Sequence, residues 1–375
     1  MSLEKISFEH LTLKEISTAI PLIKVQPETK VWFVRTGRGA KYWDDFWINK
    51  YIGVNRESVP EFSKKGNEQL DLHEIQKIYR DQIYKNSIKG LSEDEIEENK
   101  RSLTSSAGRR AGVLRIFRHE MKKGDLILAP GKGTREFLLG IIASDSTIKS
   151  NMDHKWTDFE YEESPFDNIR NVSWIKKIDF SDIPTEVRFI RHGNGSIFEV
   201  TENIENILPL FYNLYEYKGL INARIAVTTK KPVTTDDLLD LQNVIAMTKN
   251  DPSISINQKT KIASPGYLVL SSLTSNVDSI IKILRGLGVS GAIVYAISNP
   301  DKIAALLSTI RDWGHNKNMN KLEEAAKSIE ILKSVDTSNL TAEQKVELQQ
   351  KQLNVTRQFQ ISDKGAGEDI NDDEL

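Results

Sequence analysis

The residues best suited to chemistry in this chain are aromatic and basic, and they gather in its first half. Five of the six tryptophans, Trp32, Trp43, Trp47, Trp156 and Trp174, lie there. Tyr42 and Phe46 join Trp43 and Trp47 in one run, and Arg35 and Arg38 stand just before it. Aromatic faces stack on nucleobases and attract cations, while guanidinium forks bind phosphates through paired N–H donors. A flipped base held between aromatic walls is one use of such residues. A second basic group, Arg109, Arg110, Arg115 and Arg118, sits on a helical stretch whose apolar stripe is Val113, Leu114 and Phe117. The opposing reading places the tryptophans in the core of a small barrel and the arginines on a solvated helix face. Trp32 and Phe33 point to opposite sides of one strand, so one of the two is expected to reach a non-core surface.

Other chemistries find little support. No cysteine is present, which removes thiol nucleophiles, thiolate metal sites and disulfides. No Gly-x-Ser-x-Gly elbow occurs. The six histidines, His10, His73, His119, His154, His192 and His315, are scattered without a metal-binding spacing. Gly131-Lys-Gly-Thr134 is not a phosphate loop, because a glycine separates Lys132 from Thr134 and the context is strand, turn, strand. Thr36-Gly-Arg-Gly39 falls short of a dinucleotide fingerprint, although its amides and Arg38 suit a phosphate. Asp125, Glu136 and Glu199 lie near strands, but none has a lysine two places on, as a metal-dependent nuclease would require. No cofactor signature is found, and none is expected.

These side chains need elements to position them. Lys30–Arg35, Tyr51–Val54, Leu126–Ala129, Phe137–Ile142, the stretch from Arg170 through Trp174, and Gly195–Val200 read as strands. Pro130 to Thr134 makes the turn between two of them. Leu72, Ile75, Ile78, Tyr79 and Ile83 mark a helix, and Ser92 caps another that opens with acids. The basic helix follows, with Arg109 and Arg110 placed near its start. Residues 149–167 read as a polar, acidic and aromatic loop carrying Trp156 and Phe159.

The remaining segments divide accordingly. Residues 1–28 form a lead-in with Leu11, Ile16, Ile20 and Ile23 at helical spacing. Residues 29–205 form the aromatic and basic β-domain. Residues 206–219 read as a connecting helix opening a 206–313 α+β domain, with strands at 220–227, 254–256, 267–270 and 292–297 and helices at 234–249, 277–287 and 304–313. A ferredoxin-like layer of helices on one sheet is the expected arrangement. Residues 314–375 form a helical tail, Leu322–Val335 and Thr341–Phe359, with an acidic disordered end. With 375 residues the chain can hold two or three domains, and a net charge of −2 excludes a globally basic coat while permitting a local basic patch. No signal-type or membrane-length apolar run occurs, so a soluble cytoplasmic protein without membrane contact is expected.

An ordered set of motifs now carries a resemblance. Val31-Trp-Phe-Val-Arg-Thr-Gly37, the aromatic stretch through Phe46, Tyr51-Ile-Gly53, Ala107-Gly-Arg-Arg110, Phe117 to Leu126, the turn at Leu139-Gly-Ile141 and Asn171-Val-Ser-Trp174 follow one another. In this the chain resembles the N-terminal PUA/EVE-like domain of Mrr-type predicted restriction endonucleases, over about residues 29 to 200. The resemblance implies an α+β protein opening with a PUA/EVE-like β-barrel that recognises nucleic acid, a modified base included, in bacterial antiphage defence. It places Trp32, Arg35, Tyr42, Trp43, Arg109, Arg110 and Trp174 at or near the ligand, and Arg38 belongs with them on chemical grounds. The family's nuclease is not recognisable downstream. The expected function is therefore a non-catalytic sensor or adaptor that binds DNA, RNA or a nucleotide and signals to an effector partner or through self-assembly. A modification-dependent nuclease with an unrecognised site, and an assembly or scaffold protein, are the alternatives.

Overall fold

Runs of β-branched and aromatic residues extend in two groups, and two mixed sheets result, one of them curled into a half-barrel. The computed structural model describes residues 20–54, 71–149, 161–193, 195–227, 232–249, 251–261, 266–287, 294–297, 300–301, 303, 341–359 and 361–362. The chain forms two units. One is built from Thr29–Phe180 and Arg188–Ile204, the other from the described residues before, between and after these segments.

The first strand, β1 (Ile20–Lys24), belongs to the second unit. The first unit then contains β2 (Val31–Val34), a short helix α1 (Trp43–Ile48), β3 (Tyr51–Val54), and the helices α2 (Leu72–Ser87) and α3 (Glu93–Arg115). Strands β4 (Leu126–Pro130), β5 (Glu136–Ile142), β6 (Thr147–Ile148), β7 (Asn168–Asp179) and β8 (Ile197–Glu199) complete it. The strand order is β3-β7-β5-β4-β2-β8, with β6 paired to β7. β2 and β4 run parallel, Val31 opposite Leu126 and Phe33 opposite Leu128. The long β7 pairs with β3 through its first residues and with β5 through the rest. A register shift between Leu139 and Gly140 lies in the β5–β7 ladder, the kind of irregularity that bends a sheet. Gly140 is required there, because a Cβ would stand 2.5 Å from the Trp174 ring.

Helical spacing sets the inner face of the helix pair. Ile75, Tyr79 and Ile83 of α2 and Ala107, Ala111 and Leu114 of α3 are buried, packing with Phe117, Trp32, Phe46, Tyr51, Ile127 and Trp174. Leu72 and Ile78, expected on that face, are exposed instead. Ser92 caps α3 as expected: its hydroxyl accepts from the Glu95 amide at 3.3 Å, and the Glu95 carboxylate accepts the Ser92 amide at 2.8 Å. The two helices anticipated between residues 91 and 120 are one, and Arg109 and Arg110 stand toward its C-terminal end rather than near its start. The helix dipole therefore gives no help to an anion there, since its positive end lies at Glu93.

α3 closes in a π turn, Ile116–Glu120, where the Met121 amide reaches back to the Ile116 carbonyl. The loose carbonyls at this end are met by Arg170, itself 1% exposed. Its guanidinium donates to the carbonyls of Phe117 at 2.7 Å, Arg118 at 3.2 Å and Ser144 at 3.0 Å. Burial pulls the Arg170 pKa down to about 10. A buried cation at the negative end of the helix is a stable use of that charge.

In the second unit, α4 (Ile204–Phe211) is followed by β9 (Leu214–Tyr217), β10 (Leu220–Val227), α5 (Thr235–Thr248), β11 (Asn257–Lys261), β12 (Gly266–Leu273), α6 (Val277–Gly286), β13 (Val294–Ile297), α7 (Ala342–Phe359) and β14 (Ile361–Ser362). The expected connecting helix over 206–219 stops at Phe211, and its second half is strand. The strand expected at Ile254–Ile256 forms instead at Asn257–Lys261. From β10 onward the succession is strand, helix, strand, strand, helix, strand, but the order is β11-β12-β10-β9-β1-β13. A ferredoxin-like layer would put β13 beside β10. Here β9 and β1 stand between them, because the N-terminal segment enters the sheet parallel to both β9 and β13. Residues Ile20–Lys24 are therefore a strand and not part of a lead-in helix; Leu11 and Ile16 lie outside the described residues.

α7 corrects the picture of a helical tail. Leu348, Val355 and Phe359 are buried with Ile221, Ile225, Val244, Ile280 and Leu284 in one core, so this helix completes the second unit. β14 then pairs with the end of β10. The helices expected at 304–313 and Leu322–Val335, the acidic end, and Trp156 with Phe159 lie outside the described residues. Among the described residues, no helix is long and apolar enough to cross a membrane.

Candidate nucleic-acid interface

The parallel strands β2 and β4 each run into a glycine turn at the same end of the half-barrel sheet, and the aromatic helix α1 leaves from the first of these turns. Gly37 opens it with φ +87°, and a Cβ there would lie 2.5 Å from the Tyr42 ring, so only glycine fits. The Thr36 hydroxyl donates to the Pro130 carbonyl at 2.8 Å and ties the two strand ends together. Asp44 and Asp45 in the first turn of α1 suit its N-terminal dipole.

α1 is anchored from below by a buried carboxylate. Asp45, 0% exposed, accepts from the Asn49 amide at 2.8 Å, the Ser164 amide at 2.7 Å and the Tyr51 hydroxyl. Burial, then the Asp45 partnership, pushes the Tyr51 phenol well above its ordinary range. Phe46 also faces inward, and its carbonyl accepts the Trp174 indole N–H at 2.7 Å. With Asp45 and Phe46 committed to the core, Trp43 and Trp47, four apart, share the outer face of the helix.

Both outer tryptophans are half-buried. The Lys177 ammonium of β7 sits over them, 4.7 Å from the Trp43 ring and 4.9 Å from the Trp47 ring. Trp43 lies against the β4–β5 turn, where a Cβ on Gly131 would come within 3.3 Å of its indole. The Trp43 N–H is shielded from solvent yet has no hydrogen-bond acceptor among the described residues. An orphaned donor of this kind costs about 1–3 kcal/mol until something meets it. Beside it, Tyr42 packs edge-on against Phe166 at 5.3 Å. The arrangement offers partly buried aromatic surface and a nearby cation.

No protein-family model, curated protein or solved structure matches this chain.

The residues expected at the ligand separate into four groups. Tyr42, Trp43 and the exposed Arg38 meet at the turn and its helix. Arg35 is exposed on the neighbouring strand end, with its guanidinium on the carbonyls of Gly195, at 3.1 Å, and Gly193. Trp32 and Trp174 are core residues, each 1% exposed. The Trp32 indole N–H donates to the Asp125 carboxylate at 2.8 Å. Neither can offer a face to a ligand, because helices α2 and α3 cover that side of the sheet. Phe33 is buried too, stacked on Phe198 at 4.5 Å, so neither member of the pair reaches a free surface.

Arg109 and Arg110 belong elsewhere. Arg109 bonds Ser105 within its own helix at 2.8 Å, and Arg110 reaches Ser87 of α2 at 2.7 Å. Their contacts are those of a helix pair, whereas Tyr42 and Trp43 contact Phe166, Lys177 and the β4–β5 turn. Sequence reasoning placed Trp47 in the same aromatic run but not among the ligand residues, and it missed Lys177 as a neighbour of both tryptophans. The four-residue spacing of Trp43 and Trp47 was the available signal; Lys177 had none, because its approach depends on sheet register. Among the described residues no three His, Asp or Glu side chains gather as they would around a metal ion.

Proposed function

We propose that the first unit is a PUA/EVE-like nucleic-acid recognition module of a non-catalytic sensor, working at the Trp43 surface. What carries this reading is the partly buried Trp43 indole, beside Trp47 and under the Lys177 ammonium. An unstacked base has a π face for the indole, and its phosphate can take the lysine. The half-barrel sheet, the motif order from Val31 to Trp174 and the cations Arg38 and Lys177 support the same reading. A modified base in DNA or RNA, in a bacterial antiphage setting, is the ligand class that the resemblance favours. The second unit would pass the event to an effector partner or to further copies of the chain.

The test is binding of labelled single-stranded DNA and RNA, with and without modified bases, by wild type and Trp43→Ala. Base stacking on an aromatic is worth about 1–3 kcal/mol, so affinity should fall roughly 5- to 150-fold while circular dichroism is unchanged. Equal affinity of the two proteins would remove Trp43 from the site.

A further inference from the structure

The two glycine turns end alike, although their opening glycines differ, Gly37 having φ 87° and Gly131 φ −84°. Gly37-Arg38-Gly39-Ala40 follows β2 and Gly131-Lys132-Gly133-Thr134 follows β4, its parallel neighbour. In each, the third and fourth residues are both left-handed: Gly39 has φ 65° and Ala40 61°, Gly133 has φ 66° and Thr134 56°. In each, the fourth amide bonds back to the carbonyl of the opening glycine, at 3.3 Å for Ala40 and 3.0 Å for Thr134. Left-handed backbone is costly for alanine and more so for β-branched threonine, so its occurrence at the same place in both turns calls for a common cause.

The turns touch each other, and both project their second residue, Arg38 or Lys132, into solvent. Among the described residues neither cation has a carboxylate partner. The space over the glycines is open: nothing lies within 4 Å of a Cβ built on Gly39, and only the Arg135 side chain approaches one on Gly133, at 3.9 Å. Neighbouring strands lie about 4.8 Å apart, so the two turns stand side by side, each with its own exposed cation.

We propose that the paired turns form a two-phosphate clamp for the backbone of a single nucleic-acid strand, Arg38 and Lys132 each holding one phosphate. This rests on the reading of Trp43 as a base platform, since Trp43 lies against Gly131 of the second turn and sets a base beside the clamp. The clamp carries no sequence information; it fixes the strand's position so that the aromatic surface can read a base.

The experiment is fluorescence anisotropy with a labelled single-stranded oligonucleotide of about twelve nucleotides over a salt series. Arg38→Gln and Lys132→Gln should each weaken binding several-fold and make the slope of log affinity against log salt shallower by about 0.7, the double variant by about 1.4. Both side chains are exposed, so the variants should keep the wild-type unfolding midpoint. If the double variant keeps the wild-type slope and affinity while Trp43→Ala loses binding, the clamp is overturned and the aromatic reading stands. A wild type that binds no oligonucleotide overturns both. A nucleoside diphosphate that competes as well as the oligonucleotide, at equal phosphate concentration, overturns the assignment to a strand.

Discussion

Replacing Trp32 by phenylalanine distinguishes a core tryptophan from a ligand-binding one. In the fold, the indole N–H donates to Asp125 Oδ2 at 2.8 Å, while the amides of Lys122, at 2.9 Å, and Lys30, at 3.0 Å, hold the same carboxylate. Phenylalanine removes one of these three donors. A hydrogen bond to a charged group is worth about 1.5–3 kcal/mol. Loss of the fused ring from a site 1% exposed leaves a cavity and adds about 1 kcal/mol or more. The expected destabilisation is therefore about 2.5–4 kcal/mol, a fall in the urea midpoint of roughly 1–2 M.

The pH dependence isolates the hydrogen-bond part of that loss. Burial pushes the Asp125 carboxyl above its usual range, and Trp32 is the first of the donors that pull it back. A carboxyl raised on folding contributes stability that is complete below its unfolded pKa and is lost as pH rises through its folded pKa. Removing Trp32 raises the folded pKa further, so the defect should be largest near neutral pH and shrink on acidification, leaving the cavity term. Oligonucleotide affinity of the folded variant should be unchanged. A midpoint within about 0.5 kcal/mol of wild type, together with lost binding, would refute the placement of Trp32 in the core.

Two further outcomes follow from the helix pair. Arg170→Met strips the donors from the carbonyls of Phe117, Arg118 and Ser144, and at about 1–3 kcal/mol for each buried orphan it should lower stability by at least about 3 kcal/mol in urea unfolding; a neutral result would show that other groups meet those carbonyls. The His119 ring, bonded to the Tyr79 hydroxyl at 2.9 Å, has its pKa lowered by burial, then by the charges of Arg118 and Arg170. Its contribution to stability is thus full above the unfolded histidine pKa and is lost as pH falls through the depressed folded value. His119→Gln should flatten that part of the stability–pH curve, and a curve of unchanged slope would refute the assignment.

Local chemistry made much of the first unit legible. Val31–Val34, Leu126–Pro130 and Glu136–Ile142 extend where β-branched and apolar runs meet glycine turns, and Ser92 caps its helix through Glu95 as the spacing implies. The helix length was harder to read, because glycines at 108 and 112 resemble stops yet both sit inside α3, with open space at Gly108. In the second unit the misreadings share a cause. Ile20–Lys24 and Leu214–Tyr217 have weak patterns of their own, and the helix at Ala342–Phe359, read correctly as a helix, was misplaced in a tail; all three are held by partners far away in the chain. A strand recruited between two others needs only the right edges beside it, and a narrow apolar stripe is enough when a core is waiting.

The site divides along the same line. Residue types alone determined that an aromatic and basic surface was available, that thiol chemistry was not, and that Gly131–Thr134 was a turn rather than a phosphate loop. Only the tertiary structure decided which tryptophans are surface. Trp32 and Trp174 are sealed because helices from residues 72–115 lie over their side of the sheet, while Trp43 and Trp47 stay outside because Asp45 and Phe46 take the inward face of α1. It also decided that Arg38 and Lys132, 94 positions apart, are neighbours. Parallel pairing of β2 with β4 does this, and such pairing depends on register across a long connection that holds α1, β3, α2 and α3, which no local pattern encodes.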